Sequence, residues 1–162
     1  MSDKIWLGID PGLAITGWAI LKAHAKSTPL IIDYGVIQTN KGLSTSQRLL
    51  EIEHDLVELL SEFNFYGISI EMPFFSRTIK AAGGVIQAVG VINLACYRET
   101  QIQPVFLHQA SWKRYLDSGK ATKNSVAQTI NQLFNLQTIP VDDSVDAIAI
   151  AYAGLSGLTN NI

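Results

Sequence analysis

The opening of the chain constrains its fold most. Three runs, residues 4–9, 15–22 and 29–38, are dense in Ile, Leu, Val and Trp and are separated by only a few residues each. Short runs of β-branched and aromatic residues bounded by turn formers read as strands. Asp10-Pro11-Gly12 is a strong turn signal after the first of them. A parallel return between neighbouring strands needs a crossover of a dozen or more residues. These connections are too short for that, so the three strands form an antiparallel meander.

Beyond it the period changes. Leu49, Ile52, Leu56, Leu59 and Phe63 recur at three- and four-residue steps, which predicts a helix over 44–63 capped by Ser44 or Ser46. Residues 66–70 predict a short strand that ends on Glu71 and is stopped by Pro73. Residues 79–97 predict a helix that is apolar nearly all round. Its Gly83, Gly84 and Gly90 cost helix propensity, and they suit either close packing on the sheet or a dimer interface. Residues 104–107 form a further strand. Two helical segments, 110–116 and 122–135, flank a loop at Asp117-Ser118-Gly119, and 142–155 is the last helix. The alternation makes an α/β domain with a mixed five-stranded sheet, a meander extended by parallel strands and flanked by helices. With 162 residues the chain fits one domain over 1–162, its core at about 4–155 and a fraying tail at Thr159-Asn160-Asn161.

Composition narrows the function classes. Apolar residues make up 48% and charged ones only 16%, so the chain can bury a core and is not a disordered segment. No apolar run approaches the roughly 18 residues of a membrane span, and the N-terminus carries no signal or transit pattern. The single cysteine, Cys96, lies in an apolar stretch and reads as buried, which fits a reducing, cytoplasmic setting. The net charge of −2 argues at first against a nucleic-acid partner. Its distribution argues otherwise. Lys113, Arg114, Lys120 and Lys123 cluster in one segment, while Glu51, Glu53, Asp55, Glu58 and Glu62 crowd into another that reads as a solvated helix face. Two divalent cations held by acids elsewhere would more than cancel the net charge.

Four acids carry the chemistry. Asp10 ends the first strand and Glu71 follows a buried one, at the strand ends where open α/β sheets place their sites. Asp143 and Asp146, three residues apart, share one helix face. Each has a structural reading as turn, strand end or helix cap. That reading fits Asp146 worst, because it opens the apolar helix Ala147-Ile148-Ala149-Ile150-Ala151, where a charge needs a partner. A set of hard oxygen donors without a His–Cys cluster suits Mg²⁺ or Mn²⁺ rather than zinc. Two such ions about 4 Å apart can activate a water and steady a leaving oxygen in phosphoryl displacement, with no nucleophilic side chain. His24, His54 and His108 are scattered and take no role.

Gly8-Ile9-Asp10-Pro11-Gly12 with Thr16-Gly17, then Ile70-Glu71 with Phe74, then Asp143-Ser144-Val145-Asp146-Ala147-Ile148-Ala149 resembles the RuvC family of Holliday-junction resolvases, in that order and at about that spacing. The resemblance runs over roughly residues 4–155. It implies an RNase H-like fold and a homodimer that nicks two strands of a four-way DNA junction symmetrically, in recombination and repair, leaving 5′-phosphate and 3′-hydroxyl ends. It implies that Asp10, Glu71, Asp143 and Asp146 bind two Mg²⁺ per subunit, with Mn²⁺ able to substitute. It also implies DNA contacts at Phe74, Lys123 and, approximately, Lys113, a branch-migration helicase partner of the RuvA and RuvB type, and a bacterial, nucleoid-associated setting; Lys120 of the basic segment and Arg77 are further DNA-contact candidates. Two departures stand out: Lys113 lies one residue closer to Gly119 than the family pattern, and Asp117 stands where a glycine is usual.

Overall fold

A computed structural model describes residues 4–24, 27–73, 79–116, 123–136 and 142–158, without the side chains of 79–82, 123, 124 and 142. The elements run β1 (Ile5–Asp10), β2 (Ile15–Lys22), β3 (Leu30–Gln38), α1 (Thr45–Ser61), β4 (Gly67–Met72), α2 (Ile79–Thr100), β5 (Val105–His108), α3 (Gln109–Leu116), α4 (Lys123–Phe134) and α5 (Asp142–Leu155). They form one five-stranded sheet in the order β3-β2-β1-β4-β5. The expected meander is present: β1 pairs antiparallel with β2, and β2 with β3. The expected crossovers add β4 parallel to β1 and β5 parallel to β4.

Boundaries differ from the sequence reading in two informative places. Strand β4 runs one residue past Glu71 to Met72, because Met72 is still paired with His108 of β5. Helix α2 continues past Tyr97 to Thr100, and Gln101, at φ 59°, ends it in the left-handed region. Of the two candidate caps of α1, Ser44 is the one used. Its Oγ accepts from the Gln47 N–H at 3.4 Å, while Gln47 Oε1 accepts from the Ser44 N–H at 3.0 Å, closing a capping box.

Strand alternation sorts the sheet into two faces. Leu7, Ile9, Ile20, Ile68 and Ile70 point to one side, where they pack with Ile52, Leu56 and Leu60 of α1 and Ala88, Ile92 and Cys96 of α2. The residues between them, Gly8, Gly17 and Ser69, point to the other side and meet α5. Helix α5 is buried there between the sheet and the α3–α4 layer, in a core of Ala147, Ile148, Ala149, Ile150, Trp112, Val126 and Ile130. Its alanines and the glycines of the strands let backbone approach backbone. A Cβ on Gly8 would lie 2.4 Å from both Ala147 O and Ala151 N, and one on Gly17 would lie 2.0 Å from Asp143 O. The α2 glycines, for which close packing on the sheet is one of two readings and a dimer interface the other, do not supply such a contact within the described residues. There, among the described residues, a Cβ on Gly84 would meet the Leu13 side chain, and one on Gly83 or Gly90 would meet nothing within 4 Å.

Candidate active site

The strand parity that sends Gly8 toward α5 sends Asp10 to the same face, and the parity that aims Ser69 there aims Glu71 too. Ile9 pairs with Ile70 in the parallel β1–β4 ladder, so Asp10 and Glu71 leave adjacent strands at the same end. Asp10 is also opposite Gly17 of β2, and Gly17 is where Asp143 of α5 touches the sheet. Asp146 lies one turn further along α5 and acts electrostatically on Glu71. All four acids are half-buried. Carboxylates from three separate segments of the sequence are thus brought to one end of one sheet face.

Helix α5 is fixed in height by a buried relay. Trp6 Nε1 donates to Ser69 Oγ at 3.0 Å, and Ser69 Oγ donates to the Ile150 carbonyl at 2.9 Å. The loop that follows Asp10 is fixed as well. Thr16 Oγ1 donates to Gly12 O at 2.8 Å and accepts from the Gly12 N–H at 3.3 Å. Thr39 Oγ1 donates to Leu13 O at 2.6 Å, and Arg48 reaches both, with Nε 2.8 Å from Thr39 Oγ1 and Nη2 3.3 Å from Leu13 O. An open cleft of about 470 Å³ lies alongside, lined by residues 12–15, Arg48, Gly84, Val85 and Asp143.

Burial pushes the Glu71 carboxyl up to about 7 from the ordinary 4.5. The hydrogen bond from Trp112 opposes that shift, the Asp146 charge adds to it, and Lys113 opposes it. The bond runs from Trp112 Nε1 to Glu71 Oε2 at 2.7 Å. Among the described residues, no three carboxylate, imidazole or thiol groups lie close enough to make a ready-made cation cage. Facing carboxylates repel one another until a positive charge joins them, and Glu71 meanwhile accepts from the indole. The donor set itself fits a hard divalent ion: oxygen only, from adjacent strand ends and one helix turn, with one member, Glu71, pushed toward its protonated form chiefly by burial.

Of the expected DNA-contact residues, Lys113 stands on α3 close enough to act on Glu71. Phe74, Arg77 and Lys120 lie outside the described residues, as do the 117–119 loop and the tail. Lys123 opens α4, and its side chain lies outside them too. Trp112, read from sequence as a core residue, is fully buried and is also the donor to Glu71. Thr39 and Arg48 carried no sequence signal, since their partners are distant in the chain.

The sheet order and its covering helices define the class, an RNase H-like domain. The model of the crossover junction endodeoxyribonuclease RuvC family matches residues 6–153. The protein of that name from Synechocystis sp. is 61% identical over 157 residues, 97% of this chain and 94% of that one. That from Caldicellulosiruptor saccharolyticus is 35% identical, covering 90% of this chain and 88% of its own. This chain belongs to the RuvC family of crossover junction endodeoxyribonucleases. The same fold is seen in Thermus thermophilus RuvC solved in complex with a Holliday junction substrate, at a TM-score of 0.85 and 24% identity over 92% of this chain and 91% of that one. It is seen again in the yeast mitochondrial Holliday junction resolvase, at a TM-score of 0.66 and 20% identity over 91% and 77%. Among the described residues, no helix is long and apolar enough to cross a membrane.

Proposed function

We propose that this chain resolves four-way DNA junctions by paired, symmetric nicks, acting as one nuclease domain whose site is Asp10, Glu71, Asp143 and Asp146. The observation that carries the reading is the meeting of these acids at one sheet end, in a chain that matches the family from residue 6 to 153. Two Mg²⁺ ions per subunit, with Mn²⁺ able to substitute, would be held there and would supply a polarised water and charge neutralisation at the scissile phosphate. The residues of the chain do the rest. The Thr16, Thr39 and Arg48 bonds hold the loop that positions Asp10. The Trp6–Ser69–Ile150 relay holds α5 and with it Asp143 and Asp146. The cleft beside Asp143, walled by Arg48, gives the cut strand a path, and Lys113 lends positive charge beside Glu71. Phe74, Arg77, Lys120 and Lys123 add contacts to the junction.

Two equivalent cuts need two sites, so the acting form is a homodimer. The α2 face bearing Ile86, Gly90, Leu94 and Tyr97 supports this, because its large apolar residues are exposed. A branch-migration helicase delivers the junction, at the nucleoid in the cytoplasm.

The test is cleavage of a synthetic four-way junction in Mg²⁺, with flaps and RNA–DNA hybrids as controls. Asp10→Asn and Asp146→Asn each lower the rate on the order of 1000-fold while junction binding stays within a few-fold of native. Equal cleavage by either variant removes that acid from the site. Faster cleavage of flaps or hybrids than of junctions overturns the substrate.

A further inference from the structure

The indole of Trp112 has more to do than fill space. Trp112 is fully buried, packed in the core shared by α3, α4 and α5. An indole carries one N–H and no acceptor, and a buried N–H must find a partner. This one does not use a backbone carbonyl. It donates to Glu71 Oε2 at 2.7 Å, across 41 positions of sequence. The same ring lies 5.3 Å from Lys113 Nζ, centroid to nitrogen. One rigid side chain, immobilised by the core behind it, therefore touches an acid of the site and sits beside the base that acts on that acid.

We propose that Trp112 is a positioning residue for Glu71: its N–H holds one carboxylate oxygen, fixes the rotamer before a cation arrives, and so leaves Glu71 to ligate through its other oxygen. The inference rests on the reading of Glu71 as a cation ligand. A partner that orients a ligating carboxylate raises affinity by ordering it in advance, and its loss typically costs about 10–100-fold in metal binding. It also explains how Lys113 reaches the site despite its one-residue offset: α3 docks through Trp112, and the next residue lands beside Glu71.

The test is calorimetric Mn²⁺ titration of the full chain without DNA. Four proteins are compared: native, Trp112→Phe, Val126→Ala and Glu71→Ala. Val126 is buried in the same core but touches no acid of the site, so it reports what loosening alone does. Trp112→Phe should bind Mn²⁺ about 10-fold more weakly, and its junction cleavage should need about 10-fold more metal for half-maximal rate with kcat near native. Val126→Ala should bind as native. If the phenylalanine variant does not fold, benzothienylalanine at position 112, which keeps the ring volume and lacks the N–H, replaces it. Native affinity without the N–H overturns the inference, as does an equal loss in Val126→Ala. Native affinity in Glu71→Ala overturns the ligand reading itself, and this inference with it.

Discussion

A carboxyl buried beside another carboxylate holds its proton, and Glu71 is in that position. Its pKa of about 7 in the folded chain against 4.5 ordinarily fixes the sign of two effects. Between those values the folded protein keeps a proton that the unfolded chain has released, so the contribution to stability is complete below pH 4.5 and is lost as pH rises through 7. At 1.36 kcal/mol per pH unit the loss is on the order of 3 kcal/mol. Urea unfolding of the metal-free protein across this range should show it, and Glu71→Gln should flatten the profile. The second effect is on metal. A divalent cation needs the ionised form and must displace the proton. Apparent Mn²⁺ affinity should therefore rise up to about tenfold per pH unit below 7 and level off above it, with about one proton released at low pH. Calorimetry in buffers of different ionisation enthalpy measures both. A pH-independent affinity between 5.5 and 7 would show that Glu71 takes no part.

Between elements, the decisive contact is the absence of a side chain on β2. Gly17 lets the first turn of α5 rest on the sheet, with Asp143 O where a Cβ would otherwise be. Backbone cannot move aside as a side-chain tip can, so Gly17→Ala must lift that turn. The stability cost is about 1–3 kcal/mol, as for other overpacked sites. The cost in activity is larger, because Asp143 and Asp146 move together and a displacement near 1 Å in a site can lower a rate on the order of 100-fold. Chemical denaturation and junction-cleavage rates on one preparation separate the two. An activity loss no greater than the loss of folded protein would show that α5 is not the element that places the acids. The elements themselves were legible in the sequence, because a two-residue or 3.6-residue period of apolar side chains is a local signal. The candidate acids rest on position too: Asp10 and Glu71 at strand ends, Asp146 at the mouth of an apolar helix it does not suit, and Asp143 on the same helix face. The supports were not legible. Trp112 meets Glu71, and Arg48 meets Leu13, across 41 and 35 positions of chain, and no local pattern encodes such a pairing. For the same reason the close approach of Gly8 and Gly17 to α5 was not legible in their own segments.

At the scale of the whole molecule, the sheet is covered by helices on both faces, yet one helix face has nothing over it among the described residues. Ile86, Gly90, Leu94 and Tyr97 recur along α2 at helical steps; Leu94 is 62% exposed, and Leu50 of neighbouring α1 is 65% exposed. Between the two helices runs an apolar groove lined by Leu49, Leu50, Val91, Leu94 and Ala95, with the Arg98–Glu53 ion pair at its edge. Gly90 leaves room there for a second backbone, as no described residue lies within 4 Å of where its Cβ would be. A continuous apolar face of this kind on a helix otherwise packed against the sheet is suited to a two-fold contact, in which the same patch meets itself. A charge at its centre should then act twice, once in each subunit. Leu94→Glu should convert a dimer to a monomer in sedimentation equilibrium at micromolar concentration. Its far-ultraviolet circular dichroism should not change, because the position is exposed in the single chain. The acids are untouched, so single nicks should persist while paired nicks within one junction lifetime fall at least tenfold. A Leu94→Glu protein that stays dimeric and still cuts in pairs would place the two-fold contact on another face.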